Sequence, residues 1–384
     1  MKKIVSVFVT FFTLFLLVGA VYAAEPYKIG AVLSVTGRLS FLGTPMKKAM
    51  DLEVEQINKA GGINGHPLNF ICYDTETSEL KTVTFVKKLI SQDKVSVILG
   101  PDNTGSTFAT VDLVENAKVP MVSVAGSTDF LYPLEKRRYT FHASLPAEDQ
   151  IEQIFLFLDI KSIHKIATLT VSNAFGEVGR KTVEKLAPIH GIKIVLQEKF
   201  RDDDKDITPQ LVRIKASDAE GIILWCAGPT AIIATRNYYS LGIKIPLIGD
   251  LANATTFFME RVGHSFEGRR MIVTKASVAS TLPDTDPIKQ PALNFWRLYK
   301  DKYGEDPGTF ALIGSAAMQI VIDALKRAGP DSDKLRDALE ATDNLPTSLF
   351  IAAASPHNHI FGKGGMCIGT IKNGKWVYLP PAQW

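Results

Sequence analysis

Two short stretches combine hydroxyls, glycine and an expected strand-to-helix turn, a combination that can seat a carboxylate. The first is residues 99–107 (LGPDNTGST). It leaves an apolar run, turns through Gly100 and Pro101, and enters a helical pattern with Asn103 and Thr104 near the expected N-cap. The first turn of a helix exposes N–H groups and carries the positive end of the dipole, so an anion is stabilised there. Thr104 adds a hydroxyl donor. An ordinary cap uses the same residues, so this segment alone does not establish a site. The second stretch, residues 123–128 (SVAGST), follows the next apolar run and again offers hydroxyls and a glycine backbone. If the two runs are parallel strands, both segments fall beyond their carboxyl ends, where open α/β sheets bind ligands.

Catalysis has no comparable footing. The chain lacks a GxxxxGK[ST] phosphate loop, a GxGxxG after its first strand, an HExxH and a GxSxG. Its seven histidines are dispersed, and only His357 and His359 lie close together. Flanked by Pro356 and Asn358, that pair reads as locally hydrogen-bonded rather than as metal ligands. The three cysteines, Cys72, Cys226 and Cys367, sit in separate apolar runs with no CxxC spacing. They are expected to be buried thiols rather than a zinc site or a disulfide. No cofactor is implied, and the chain reads as a non-enzyme.

The amino terminus reads as an export signal. Lys2 and Lys3 precede an apolar run, residues 4–18, and Val21-Tyr22-Ala23 supplies the small residues of a cleavage site, so cleavage is expected after Ala23. Removing the two lysines takes 43 basic residues to 41 against 40 acids, about +1 overall, with no basic stripe for nucleic acid. No later stretch reads as long and apolar enough to cross a membrane. The roughly 360 remaining residues exceed one hydrophobic core and suit two lobes.

Short apolar strands alternate with helical patterns along most of the chain, which means parallel sheets built from βαβ units. One run of strands is expected at 27–35, 68–73, 96–99 and 120–124. A second is expected at 165–171, 192–197, 221–226 and 246–249, after a polar separator near 144–150. A helix is expected to begin at Thr44-Pro45 and end at Gly61-Gly62. Further helices are expected at 291–302, 315–328 and 332–341. Asn373-Gly374 between two apolar runs predicts a terminal hairpin. Several crossings between the lobes account for this order.

The chain resembles the leucine/isoleucine/valine-type family of periplasmic binding proteins and its relatives that bind aromatic acids. The resemblance rests on Ser34-Val35-Thr36-Gly37 after the first strand and on Gln56-Ile57-Asn58 with residues 60–65 (AGGING). It continues through Tyr73-Asp74-Thr75, the Gly100-Pro101 turn and Asn173-Ala174-Phe175-Gly176. It implies an α/β fold of two Rossmann-like lobes joined by a three-crossing hinge, the type I periplasmic binding fold. The lobes would comprise 24–145 with 277–346, and 146–276 with 347–384. It implies a monomeric periplasmic component of an ABC importer that binds a branched-chain or other hydrophobic amino acid and hands it to a membrane permease. An aromatic or other carboxylic acid, or a sensing module on the same fold, stays open as an alternative.

By position, the resemblance gives Thr104 the grip on a ligand carboxylate, beside Asn103. Gly126, Ser127 and Thr128 match the second strand-end loop. Phe175 and Leu42 stand where the family often has an aromatic residue, and Phe175 lacks the tyrosine hydroxyl common there. Asp250 would pair with a ligand ammonium. Trp225 is either part of an apolar pocket or plain core. The segment 348–354 (SLFIAAA) departs from the glycine-bearing loop of many relatives.

Overall fold

The computed structural model describes residues 24–266, 269–362 and 364–383, so the expected leader lies outside the described residues. The first lobe opens with β1 (Tyr27–Leu33), α1 (Ser40–Lys59), β2 (Leu68–Asp74) and α2 (Glu79–Lys88). It continues through β3 (Val97–Leu99), α3 (Thr104–Ala117), β4 (Met121–Ser123) and β5 (Thr140–His142). All five strands are parallel, in the order β2-β1-β3-β4-β5. The central strands are buried, Lys28 of β1 apart, as an apolar strand covered on both faces must be.

The second lobe contains α4 (Ala147–Ile160), β6 (Lys165–Val171), α5 (Ala174–Leu186), β7 (Lys193–Phe200) and α6 (Thr208–Lys215). After these come β8 (Gly221–Trp225), α7 (Pro229–Ser240), β9 (Leu247–Gly249), α8 (Thr256–Val262) and β10 (Arg270–Thr274). The chain then forms α9 (Lys289–Tyr303), α10 (Thr309–Ala328), α11 (Ser332–Glu340), β11 (Leu345–Pro346) and β12 (Ile351–Ala352). It ends in β13 (Met366–Lys372) and β14 (Lys375–Tyr378). The second sheet runs β14-β13-β10-β9-β8-β6-β7, with only β13 and β14 antiparallel to their neighbours. Asn373 and Gly374 both have positive φ at the hairpin turn, as the Asn-Gly pair predicts.

α10 packs against α1 in the core of the first lobe. It is long and apolar enough to cross a membrane by length and composition, contrary to the sequence reading, but 83% of its apolar window is buried inside the protein. Its apolar surface is covered on all sides, as for a central core helix. After α11 the chain stays with this lobe longer than expected. The Ser348 amide donates to Gln319 at 2.8 Å, and the Phe361 amide to the His142 carbonyl at 2.9 Å. These bonds place 347–361 with the first sheet, so the last passage between sheets falls after Phe361 rather than at 346/347. Segment 348–354 is therefore packing beneath α10.

Other parts of the sequence reading shift or hold. The separator near 144–150 leads straight into α4, whose buried residues Ile151, Ile154, Phe155 and Leu158 recur at helical spacing. Strand β5 and helices α7 and α8 fill gaps the sequence reading left open. His359 is buried, with Nδ1 against the Thr140 carbonyl and Nε2 against Glu340, so both ring nitrogens are engaged. All three cysteines are free thiols, and burial pushes Cys72 and Cys367 up to about 12.

α1 also starts one turn before Thr44-Pro45, so Pro45 lies inside it. The cause is a close approach of helix to strand. A Cβ on Gly43 would lie 2.3 Å from the Ser34 carbonyl oxygen, and the Thr44 hydroxyl donates to the Val35 carbonyl at 2.7 Å. Only glycine permits that contact. We expect Gly43→Ala to destabilise the protein by about 1–3 kcal/mol, the usual cost of overpacking against fixed backbone. Urea denaturation measures it, and an unchanged midpoint would contradict the packing account.

Candidate functional site

The loops that follow the strands of both sheets converge on one cleft. It is lined by Arg38 after β1, Asp102 to Gly105 after β3, Val124 and Gly126 after β4, and Asn173 to Phe175 after β6. Asp202 after β7, Ala227 after β8, and Leu251 and Ala252 after β9 complete the strand-end set. This is where parallel sheets place ligands. The cavity volume is about 180 Å³. An apolar cavity of roughly 150 Å³ admits benzene, so the space suits a single small solute.

Thr104 is the first residue of α3 and is 3% exposed. Its hydroxyl is buried and has no hydrogen-bonding partner. The Asn103 side chain caps the helix by accepting from the Ser106 amide at 3.0 Å. The site thus pairs an unused hydroxyl with a helix amino terminus, two features that stabilise a carboxylate. Acids stand beside this seat. Asp102 is buried and accepts from the Ser34 amide at 2.7 Å, the Ser34 hydroxyl at 2.9 Å and Asn103 at 3.2 Å. Burial nonetheless raises its pKa above the ordinary carboxylate range. The Glu79 carboxylate lies against the same turn, since a Cβ at Gly105 would meet its Oε1 at 2.0 Å.

Leu39, Leu42, Leu145, Phe310 and Ile313 form an apolar wall with Phe175, beside the polar Thr77, Ser144 and Gln150. The Phe175 ring packs so closely on Gly126 that a Cβ there would sit 2.7 Å from it. These two residues come from opposite lobes, so the cleft is closed. Arg38 and Asp202 pair across it at 3.1 Å, and Asn173 holds the other Asp202 oxygen at 2.8 Å. The Phe41 ring stacks on Phe257 with centroids 5.4 Å apart, and the Thr309 hydroxyl donates to the Ala254 carbonyl at 2.6 Å. The Arg38–Asp202 pair is partly exposed and contributes little by itself; the ring and backbone contacts carry more of the closure.

Of the residues expected in the site, Leu42, Asn103, Thr104, Gly126 and Phe175 line the cleft. Four do not. The Ser127 hydroxyl accepts from the Asp129 amide at 3.1 Å, and Thr128 stands at the N-cap position of the short turn that follows, without a side-chain cap bond. Trp225 is wholly buried behind Phe175, to whose carbonyl its Nε1 donates at 3.2 Å. Asp250 turns back into its own lobe, accepting from the Cys226 amide at 2.8 Å and the Ala252 amide at 2.7 Å. It is a local cap, and burial raises it to about 7. Sequence reasoning missed Arg38, Glu79, Asp102, Asp202 and Gln150. Asp102 stands inside the very segment singled out, and its place next to the N-cap was the available signal.

A family model described as periplasmic binding protein matches residues 26–375. The leucine-, isoleucine-, valine-, threonine- and alanine-binding protein of Pseudomonas aeruginosa is 24% identical over 333 residues, covering 85% of each chain. The Leu/Ile/Val-binding protein homolog 7 of Brucella suis is 22% identical, covering 85% of this chain and 84% of the relative. Among solved structures, an extracellular ligand-binding receptor from Rhodopseudomonas palustris HaA2 superposes with a TM-score of 0.84 at 21% identity, covering 93% of this chain and all of that one. The branched-chain amino acid transporter substrate-binding protein of Streptococcus pneumoniae, in complex with isoleucine, gives a TM-score of 0.79 at 23% identity. That match covers 92% of this chain and 99% of the other.

The position of Asp250 yields a test. Its raised pKa means that the folded protein holds a proton which the unfolded chain releases near pH 4. The stability this group contributes is therefore fully present below about pH 4 and is lost as pH rises through about 7. We expect Asp250→Asn to flatten the decline in stability between those values, read by denaturation at a series of pH values. Ligand affinity per folded molecule should not change in calorimetry. A large loss of affinity would return Asp250 to the site.

Proposed function

The chain belongs to the periplasmic binding protein family, and from that premise we propose that it closes on a hydrophobic α-amino acid and passes it to an ABC membrane permease. Its family is one of solute-binding proteins rather than enzymes. The observation that supports an amino acid is the pairing of opposite needs in one place. An α-amino acid carries its ammonium next to its carboxylate. Thr104 and the first turn of α3 suit the carboxylate, while Asp102 and Glu79, immediately beside them, suit the ammonium. A ligand bearing only a carboxylate would meet two like charges there. A buried ammonium needs a charged acceptor, and Asp102 takes the role the sequence reading gave to Asp250.

The apolar remainder, with Leu42, Leu145, Phe175 and Ile313, accommodates a branched aliphatic side chain. The Pseudomonas and Brucella relatives carry names for the same kind of ligand. An export signal at residues 1–23 and a free, monomeric life in the periplasm fit this role. Phe175 and Phe310 in the lining also fit an aromatic acid, which is the competing reading.

Calorimetry with L-leucine and its des-amino counterpart, 4-methylpentanoate, separates the two. We expect the amino acid to bind at least tenfold more tightly, a difference of about 1.4 kcal/mol. Asp102→Asn should erase that preference. Protonated Asp102 offers an ammonium no charge, so affinity for the amino acid should fall as pH is lowered through the acid range. The fall should begin above the pH at which an ordinary aspartate titrates. Equal or tighter binding of 4-methylpentanoate would overturn the amino-acid reading in favour of the simple acid.

A further inference from the structure

A second cavity lies between the lobes, on the other side of Phe310. Its volume is about 680 Å³, several times that of the first cleft, and Phe310 lines both. Its walls come from the start of α1, the loop leading into α8, the second half of α9, the start of α10 and the terminal hairpin. Six aromatic residues stand in the wall. Phe41 stacks on Phe257 and meets Phe310 edge-on at 6.0 Å, and Tyr299, Trp296 and Trp376 also line the cavity.

Most of its polar groups are already bonded, but two buried donors are not. The indole Nε1 atoms of Trp296 and Trp376 are both buried and have no acceptor. An indole N–H can only donate, and a buried donor left without a partner is costly to the fold. Lys375 adds an ammonium that pairs with no carboxylate among the described residues. The two acids at the rim are already engaged, Glu305 with Lys48 at 2.8 Å and Asp306 with Lys300 at 2.8 Å. The cavity therefore sets aromatic rings beside two unpartnered indole donors and rim acids that are already paired.

We infer that this cavity is a second ligand site that takes an aromatic carboxylate, its ring among Phe41, Phe257 and Phe310 and its acceptor oxygens on the Trp296 and Trp376 indoles. The site is separate from the amino-acid cleft and does not depend on what that cleft binds. Because its walls come from both lobes, an occupant braces the closed arrangement. By linkage, closure in turn tightens the hold on the occupant.

The test uses 1-naphthoate and the protein labelled with ¹⁵N at its tryptophan indoles, with resonances assigned through single Trp→Phe variants. We expect the Trp296 and Trp376 N–H signals to shift with added naphthoate. The Trp225 signal should stay in place, since that indole donates to Phe175 beneath the first cleft. Replacing both with phenylalanine keeps the rings and removes the donors, and should weaken naphthoate binding at least tenfold in calorimetry. The site is refuted if naphthoate fails to bind at millimolar concentration, or if it moves only Trp225. It is refuted equally if Trp296 and Trp376 remain unshifted at saturation, or if the double variant binds as well as wild type.

Discussion

A buried hydroxyl with no hydrogen-bonding partner costs a folded protein roughly 1–3 kcal/mol, and Thr104 carries one at the turn where β3 gives way to α3. The neighbourhood is built around that unmet bond. Asn103 satisfies the helix end without using Thr104. Asp102 is fixed beneath by Ser34, reaching across from the end of β1. Gly100, with φ at +89°, sits so close to the Val32 carbonyl that a Cβ would lie 2.4 Å from it. The turn is thus held rigidly by β1, and the hydroxyl is presented to the cleft rather than to its own backbone. A site prepared in this way loses little freedom when a ligand arrives.

The second lobe supplies the lid. Phe175 enters the cleft at the start of α5, and α5 itself lies close over its sheet. A Cβ at Gly176 would clash with the Val171 carbonyl at 1.7 Å, and one at Gly179 with the Trp225 ring at 2.4 Å. Trp225 acts through this packing: it backs Phe175 at a centroid distance of 5.4 Å and holds its carbonyl. Closure then joins the lobes through the Phe175 and Gly126 contact, the Phe41 stack and the Thr309 bond. Three passages of chain between the sheets permit bending while keeping these surfaces in register.

The fold was legible because parallel strands and their helices differ in period and length, and the Asn-Gly hairpin is a strong local signal. α4 was missed because its polar first turn, residues 147–150, looks like a linker, although Ile151, Ile154, Phe155 and Leu158 carry the helical spacing. The start of α1 was misjudged because proline at a first turn is common. Here tertiary contact between Gly43 and Ser34 overrides that preference. In the site, the hydroxyl and glycine segments were legible as strand-end loops, yet which side chains of a loop face the cavity was not. Ser127 shares a loop with Gly126, and its hydroxyl serves the backbone instead. An acid at a strand end is equally suited to capping a turn and to holding an ammonium, so Asp250 could be assigned only once its two amide partners were known. Arg38 and Asp202 lie 164 residues apart and meet only across the closed cleft.

The account depends most on Thr104 as the hydroxyl that receives a ligand carboxylate, and calorimetry of Thr104→Val beside Thr104→Ser tests this directly. Valine keeps the shape and removes the hydroxyl, while serine keeps the hydroxyl. With L-leucine as ligand, the account predicts a loss of about 1.5–3 kcal/mol for valine, the worth of a hydrogen bond to a charged group. It predicts near wild-type affinity for serine and, without ligand, an unfolding midpoint for valine above that of wild type, because the unpaired hydroxyl is gone. Wild-type affinity in the valine variant would contradict it.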